Sequence, residues 1–251
     1  QTEENQKQEI EAMVKQAQSL GMNTLFVDLV TGEGTAFQLE TIRSISTFDA
    51  AAYLLETARE NNLFIYGIYD LSYSPAGERV RQAQVKNTQQ ANLANGVLED
   101  MVKKYQFDGI LLAGCENPDG EAAFADYMLY GGGRTYQQYM EDNAAMLVTA
   151  AKEVVSKYAQ NTQVGLLTDG VWAAASQQEG GLEVTAGFTA LETDRLNSKA
   201  LAEQQAVDFV AVRNYGSTTD PAAPFTTVAK WWDQQAQETG LPVYMVHGAN
   251  R

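Results

Sequence analysis

Acidic side chains stand at the ends of several apolar stretches of this 251-residue sequence, where they could do acid–base chemistry. They are Asp28, Asp70, Glu116 and Asp169. Aromatic, amide and cationic side chains follow the same stretches: Tyr69, Trp172, Arg213, Asn214, Tyr215 and His247. Glycoside hydrolysis requires two carboxyl groups flanking one bond, one as acid and the other as nucleophile or base. Carboxylates beside aromatic rings also suit sugars, because sugars stack on rings and hydrogen-bond to carboxylates.

These residue types predict a site that acts on or binds a polysaccharide. We assign Glu116 as the proton donor and either Asp169 or Asp70 as the second carboxylate. A proton donor in this role needs partial burial, because burial favours the protonated form. The predicted substrate-binding residues are Asp28, Tyr69, Trp172, Arg213, Asn214, Tyr215 and His247.

No cofactor and no metal ion are predicted. The single histidine, His247, excludes a multi-histidine zinc site. No apolar stretch is followed by a glycine-rich dinucleotide-binding or phosphate-binding pattern. Asp28, Asp70 and Glu116 are hard oxygen ligands without a known loop spacing, which leaves a carboxylate-bound Mg²⁺ or Ca²⁺ as a third interpretation.

Each carboxylate also has a purely structural interpretation. Asp28 lies inside an apolar run, where a buried charge persists only when it is paired. Asp70 precedes Leu-Ser-Tyr-Ser-Pro, a sequence typical of a turn that an aspartate caps. Glu116 begins the turn sequence Glu-Asn-Pro-Asp-Gly, which is typical of a solvated loop, and Asp169-Gly170 is itself a turn signal.

Alternating helices and strands position these residues. Segments with helical periodicity precede six apolar runs, residues 24–30, 63–70, 109–115, 164–169, 208–214 and 242–247. The first three runs are almost continuously apolar rather than alternating, which indicates burial on both faces of a parallel sheet. This pattern predicts an α/β fold with parallel strands, and the length suits a (β/α) TIM-type barrel.

Long segments follow the strands, and short turns precede them. The long segments are residues 31–46, 71–90, 116–135 and 170–196. In α/β proteins the carboxyl ends of the strands carry the functional sites, so we predict one functional rim. Residues 1–8 are polar and are predicted as a tail or linker, with one barrel domain over residues 9–251. Gly32-Glu-Gly34 predicts a hairpin turn after the first run.

The composition narrows the class of partner. The net charge is −15, with 17 Lys+Arg against 32 Asp+Glu, which argues against nucleic acid or an anionic membrane surface. No apolar run reaches the roughly 18 residues that span a bilayer, so no membrane insertion is predicted. The lone cysteine, Cys115, allows no internal disulfide.

Several segments occur in an order and spacing typical of one family: residues 21–27, Ala58-Arg-Glu-Asn-Asn-Leu-Phe-Ile-Tyr-Gly, Tyr105-Gln-Phe-Asp-Gly-Ile110, Gly165-Leu-Leu-Thr-Asp-Gly-Val-Trp172 and Asp208-Phe-Val-Ala-Val-Arg-Asn-Tyr215. Over nearly its whole length the chain resembles the glycosyl-hydrolase-like family ten barrels. These are bacterial envelope or secreted proteins, and some cut the glycan strands of peptidoglycan. The resemblance implies an extracellular or envelope location and a polysaccharide partner.

The chain departs from that family at its expected catalytic residues. The family follows its fourth-strand Asp-Gly-Ile with two apolar residues and Asp-Asp-Tyr, where this chain has Ala113, Gly114 and Cys115. Glu116 lies one position beyond. Asn214 stands nearest to the family's glutamine, and Tyr215 keeps its tyrosine. The lost aspartate pair supports an alternative function, a catalytically inactive carbohydrate-binding or surface-scaffold barrel.

The number of strands also departs from the family. A family barrel has a strand before the first helix and an eighth strand after the seventh, and neither is recognisable in this sequence. Six parallel strands would leave two unpaired sheet edges. We therefore expect an incomplete barrel or a fragment of a longer chain, with flanking domains in the longer polypeptide.

Overall fold

A parallel sheet of six strands forms the centre of the fold. The computed structural model describes residues 2–31, 34–39, 48–73, 88–116 and 120–248. The sheet strands are β1 (Thr24–Asp28), β4 (Phe64–Asp70), β5 (Gly109–Ala113), β6 (Gln163–Asp169), β7 (Phe209–Arg213) and β8 (Val243–Val246).

Neighbouring strands pair in the order β1-β4-β5-β6-β7-β8, and every pair is parallel. The sheet curls into part of an α/β barrel with helices outside, which confirms the predicted fold class. Within the described part of the chain, β1 and β8 each pair with one neighbour and form the two edges. A separate antiparallel pair, β2 (Val30–Thr31) and β3 (Gly34–Thr35), confirms the predicted hairpin. Its turn residues lie outside the described residues.

Seven helices are found in the described ranges: α1 (Glu3–Ser19), α2 (Ala50–Glu60), α3 (Thr88–Lys104), α4 (Glu121–Tyr130), α5 (Tyr136–Tyr158), α6 (Ser198–Glu203) and α7 (Phe225–Thr239). Side-chain caps begin several of them; α5 starts with a capping box between Thr135 and Gln138. Searched over the same ranges, no helix has the length and apolar content needed to cross a membrane.

Helix α1 begins earlier than the apolar periodicity indicates. Residues 3–8, predicted as a polar tail, form its first turns. The Thr2 side chain accepts a hydrogen bond from Asn5 N at 3.3 Å, and Lys7 pairs with Glu3 four residues earlier at 2.6 Å. Capping and ion pairing stabilise a helix end without any apolar residue, so hydrophobic periodicity alone placed this boundary too late.

The two faces of the sheet carry different side chains, because successive residues of a strand point to opposite faces. The outer face packs against the helices in the main hydrophobic core and includes Ile65, Tyr69, Ile110, Leu112, Val164, Leu166, Val210 and Val212. The inner face forms a second cluster around Tyr66, Leu111, Phe209 and Ala211. Side chains at alternate positions of one strand therefore meet either helices or the barrel interior.

Aromatic rings fill the barrel interior near the amino ends of the strands. Phe26, Tyr66, Phe209 and Tyr244 form a chain of contacts with ring centroids 5.0 to 6.4 Å apart. Glycines in the neighbouring strands make room for two of these rings. A Cβ at Gly165 would lie 2.1 Å from the Phe209 ring, and one at Gly109 would lie 2.8 Å from Tyr66.

We predict that Gly165→Ala destabilises the protein by about 1–3 kcal/mol, because the new methyl group overpacks the interior against Phe209. The same substitution at Gly96, on an exposed position of α3 with no atom within 4 Å of its Cβ, serves as the control. It should stabilise by about 0.5–1 kcal/mol, since alanine favours a helix interior. Urea denaturation measures both, and a Gly165→Ala variant as stable as the wild type would contradict this packing.

Candidate active site at the carboxyl ends of the strands

Arg213 joins two of the predicted carboxylates at the carboxyl end of the sheet. It is the last residue of β7 and lies opposite Asp169, the last residue of β6, in the strand pairing. Arg213 Nη2 donates a hydrogen bond to Glu116 Oε1, and Arg213 Nε lies 2.8 Å from Asp169 Oδ1. The second contact lacks hydrogen-bond geometry and is an ion pair.

The charges in this cluster influence each other because the site is only partly open to solvent. Burial alone would lower the pKa of Arg213, but the charges of Asp169 and Glu116 outweigh it and raise the pKa. All three side chains keep between 19 and 27% of their surface exposed, enough for a ligand to reach them. The structure thus brings together Glu116, Asp169 and Arg213, three residues predicted from the sequence.

A fourth member of this cluster, Asp194, was not predicted. Asp194 is 7% exposed and lies near enough to Asp169 and Glu116 for their charges to act on its carboxyl group. Burial, followed by the negative charges of Asp169 and Glu116, raises the pKa of Asp194 to about 7, against the opposing effect of Arg213. Asp194 Oδ2 is buried and has no hydrogen-bond partner among the described residues.

The loop between β6 and α6 holds Asp194 in place through backbone hydrogen bonds. Thr193 N donates to Thr189 O, Ala190 N donates to Val171 O, and Leu196 N donates to Ala190 O, each at 2.9 Å. The loop is thereby fixed against the residues that follow β6 directly. The sequence around Asp194 reads Glu192-Thr-Asp-Arg195, a polar stretch that gives no signal beyond its place inside one of the long segments of the predicted rim.

Asp70 caps the turn that follows β4, which is the structural interpretation of its sequence context. Its Oδ1 accepts hydrogen bonds from Ser72 N at 2.8 Å and Ser72 Oγ at 2.6 Å, which form a turn after β4. Gly114 adopts a φ of +66°, and a Cβ there would lie 2.1 Å from Asp70 Oδ1. A family-type aspartate at position 114 would therefore collide with this turn.

Three other predicted ligands lie at this end of the sheet with exposed side chains. Asp28 is exposed at the end of β1. Tyr215, directly after β7, is 46% exposed. His247 is exposed after β8, and its ring lies 4.7 Å from that of Phe225. Each leaves surface available to a ligand.

The structure corrects the predictions for Tyr69, Trp172 and Asn214, which are all buried. Tyr69 points from β4 to the outer face and packs under the helices, and its burial raises its pKa. The Trp172 ring stacks on Trp231 at 5.6 Å, and its Nε1 donates to Asn197 Oδ1 at 3.2 Å.

Asn214 is 4% exposed, and its Nδ2 donates to Phe225 O at 3.2 Å, at the start of α7. Side chains that face the helices or anchor the rim loops offer no free surface to a sugar, so these three do not line an open site. The sequence placed them at the correct end of their strands but could not show which way each side chain points.

No metal arrangement occurs among the described residues, where no group of three or more histidine, cysteine or acidic side chains could hold an ion. The three carboxyl groups of the cluster surround a guanidinium instead. Cys115 is a buried free thiol whose pKa is raised by burial. An open groove of about 440 Å³ lies at the opposite end of the sheet, beside Lys152 and Asp208, and is not part of this cluster.

Comparison with known proteins supports a glycoside-hydrolase-like fold. The chain is 23% identical over 163 residues to glycosyl hydrolase YngK of Bacillus subtilis, covering 61% of this chain and 31% of that protein. It is 22% identical over 158 residues to glycosyl hydrolase DigH of Escherichia coli, covering 59% and 35%. The chain therefore spans about a third of the length of these curated relatives. No family model matches it.

Two enzymes with solved structures, a mannanase and a chitinase, have a similar fold. The endo-β-1,4-mannanase of Thermotoga petrophila superposes with a TM-score of 0.64 at 13% identity, over 96% of this chain and 58% of that chain. A chitinase of Chromobacterium violaceum superposes with a TM-score of 0.56 at 13% identity, over 94% and 63%. At this identity the likeness establishes the fold alone, an α/β barrel.

We predict that Arg213→Gln lowers the free energy of unfolding by about 2–4 kcal/mol at pH 7.5, because it leaves half-buried carboxylates without a cation. The loss should shrink at pH 5, where carboxyl groups begin to take up protons. Lys7→Gln, which removes an exposed pair with Glu3, should leave the stability nearly unchanged. Equal effects of both substitutions in guanidinium denaturation would show that Arg213 does not hold the cluster together.

The raised pKa of Asp194 predicts a pH-dependent stability. The unfolded aspartate has a pKa near 3.9, so the folded protein binds this proton more tightly. The resulting stability is complete below pH ~4 and is lost as the pH rises through about 7. Asp194→Asn should match the wild type at pH 4 and be more stable by about 2–4 kcal/mol at pH 8.

Asp220 supplies a control of opposite sign. Hydrogen bonds from Ala223 N and Ala222 N lower its pKa, so its contribution to stability is lost as the pH falls. Asp220→Asn should therefore be less stable than the wild type near neutrality and approach it in acid. Thermal unfolding from pH 4 to 8 measures all three proteins, and parallel curves for Asp194→Asn and the wild type would contradict the raised pKa of Asp194.

Proposed function

We propose that this chain is the catalytic barrel of a glycoside hydrolase that cleaves a polysaccharide outside the cell, within a longer polypeptide with flanking domains. The observation that carries the proposal is the pair of partly exposed carboxyl groups, Glu116 and Asp169, gathered by Arg213. They lie at the end of the barrel where enzymes of this architecture build their sites. The glycoside-hydrolase-like fold supports the same reaction class.

Glu116 and Asp169 contact the same guanidinium, and glycoside hydrolysis uses two carboxyl groups that flank one bond. In the proposed reaction Glu116 protonates the leaving oxygen as the bond to the anomeric carbon breaks. Asp169 either attacks that carbon or removes a proton from the attacking water. Arg213 holds both carboxyl groups in place, through its hydrogen bond to Glu116 and its 2.8 Å ion pair with Asp169. We leave Asp70 out of this pair, because its Oδ1 accepts two hydrogen bonds from Ser72 within a turn.

The exposed residues at this rim supply the proposed sugar contacts. Tyr215 offers a ring face on which a sugar can stack, and Asp28 and His247 offer polar groups to its hydroxyls. Neutral sugars carry no charge for the acidic surface to repel, which fits the net charge of −15. The same features suit a bacterial or dietary polysaccharide.

A second candidate function is carbohydrate binding without catalysis. The specific observation in its favour lies at the end of β5, where Ala113, Gly114 and Cys115 occupy the positions of the family's aspartates. The turn formed by Asp70 fills the space that a side chain at position 114 would need. In this case the rim would bind a glycan, and Glu116 and Asp169 would serve only to hold Arg213.

Glycan hydrolysis by the Glu116 and Asp169 variants separates the two functions. Reducing-end release from peptidoglycan and plant glycans should fall about 100-fold or more in both Glu116→Gln and Asp169→Asn, because each loses a reacting carboxyl group. On an aryl glycoside with a good leaving group, Glu116→Gln should retain much of its activity, since such a group departs without protonation. Asp169→Asn should remain inactive on that substrate.

Asp233→Asn, on the exposed surface of α7, is the matched control and should behave as the wild type. Full activity of Glu116→Gln on the polysaccharide would eliminate Glu116 as the acid. A wild type that binds a glycan but releases no reducing ends would favour the second function.

A further inference from the structure

Helix α4, in the long segment that follows β5, leaves much of its apolar surface uncovered. Ala123 is buried, whereas its large apolar side chains are exposed: Phe124, Met128, Leu129 and Tyr130. A helix on the surface of a globular protein normally turns its apolar side chains toward the core. Exposed apolar patches of this kind mark binding surfaces, so we expect α4 to have a ligand or a partner.

Aromatic rings form a continuous surface where α4 packs against the first turn of α5. The ring centroids of Phe124, Tyr127 and Tyr136 lie 5.4 to 6.0 Å from one another. Phe124 is 52% exposed, and the other two are partly buried. We call these three residues the ring surface. Aromatic rings are the side chains on which sugar rings stack, so the composition of this surface suits a glycan.

The ring surface is held in a fixed arrangement by the residues around it. The Tyr139 ring is buried and lies 5.6 Å from that of Tyr127. Tyr127 Oη donates a hydrogen bond to Arg134 O at 3.0 Å, and the Arg134 guanidinium lies 5.0 Å from the centre of the Tyr139 ring. Rings that are already ordered lose little conformational freedom when a ligand binds, which favours binding.

The ring surface lies toward the same end of the sheet as the charged cluster. Helix α5 leads back from the end of β5 to the start of β6, so its first turn, at Tyr136, lies toward the carboxyl ends of the strands. Glu121, the first residue of α4, follows Glu116 by five residues, and five residues of extended chain span at most about 18 Å. A long glycan can therefore contact both the charged cluster and α4.

The charge of the chain favours a neutral ligand over the other partners that an apolar surface can have. A net charge of −15 repels both an anionic membrane and a second copy of the same chain. Helix α4 itself carries two acidic residues, Glu121 and Asp126, and no cationic one. A neutral polysaccharide meets no such repulsion.

We propose that the ring surface is a distal glycan-binding site, which binds a polysaccharide chain at a distance from the bond that Glu116 and Asp169 cleave. This inference rests on the proposed function, because it takes the same polysaccharide as the ligand. The substrate is then a polymer, since a long chain reaches both places and a short glycoside occupies the charged cluster alone. Removing a ring should weaken the binding of the polymer without affecting a short substrate.

Binding to insoluble peptidoglycan and to soluble plant mannan, measured on ice, tests the ring surface without hydrolysis. Phe124→Ala should weaken the affinity about tenfold, as expected when a central aromatic contact is truncated. Phe124→Tyr keeps a ring and should bind as the wild type does. Leu129→Ala is the matched control, because Leu129 is apolar and 74% exposed on the same helix but has no ring. It should also bind as the wild type does.

Two results of the binding measurement would overturn the proposal. One is unchanged affinity in Phe124→Ala. The other is an equal loss in Phe124→Ala and Leu129→Ala, which would indicate a general apolar contact instead of stacking on rings. Sedimentation of the wild type as a dimer and of Phe124→Ala as a monomer would assign the surface to a second copy of the chain.

Hydrolysis distinguishes this inference from the proposed function. On the polysaccharide, Phe124→Ala should raise KM about tenfold with little change in kcat, and on an aryl glycoside both constants should match the wild type. If the wild type hydrolyses the polysaccharide and Phe124→Ala keeps its KM, the distal site fails and the proposed function stands. If the wild type binds glycan through Phe124 but hydrolyses none, the proposed function fails and the binding site stands. A wild type that neither binds nor hydrolyses these glycans overturns both.

Discussion

The positive charge of Arg213 is the interaction on which the whole carboxyl end of the sheet depends. It stands on the inner face of β7, among carboxyl groups supplied by three other segments: the end of β6, the residues after β5 and the loop before α6. Without this cation, Glu116 and Asp169 would be unpaired negative charges in a partly dehydrated space. The guanidinium therefore holds separate segments together as well as shaping a site.

The architecture makes this arrangement possible by dividing the barrel interior into two parts. Aromatic rings from Phe26, Tyr66, Phe209 and Tyr244 fill the interior near the amino ends of the strands. Polar and charged residues occupy the same face at the carboxyl ends. Glycines at 109 and 165 let the rings pack closely. The apolar part supplies stability, which leaves the other end free to carry charges that cost stability.

The long loop after β6 is held in a fixed conformation by its own side-chain contacts. The loop after β6 is anchored by the stacking of Trp172 on Trp231 and by the hydrogen bond from Trp172 to Asn197, whose side chain also caps α6. These contacts explain why a tryptophan at a strand end is buried here. Backbone hydrogen bonds within the same loop fix the irregular segment that contains Asp194.

The sequence by itself determined the order of helices and strands, the parallel sheet, the rim that carries the charges, and Glu116, Asp169 and Arg213 as members of it. These follow from local patterns, because apolar runs and turn residues report burial and chain reversal directly. Only the tertiary structure decided that Asp194 lies near the charged cluster and that Ser72 donates hydrogen bonds to Asp70. It also decided that the side chains of Tyr69, Trp172 and Asn214 are buried. Those outcomes depend on strand register and loop packing, which bring together residues distant in sequence and set which face each side chain occupies.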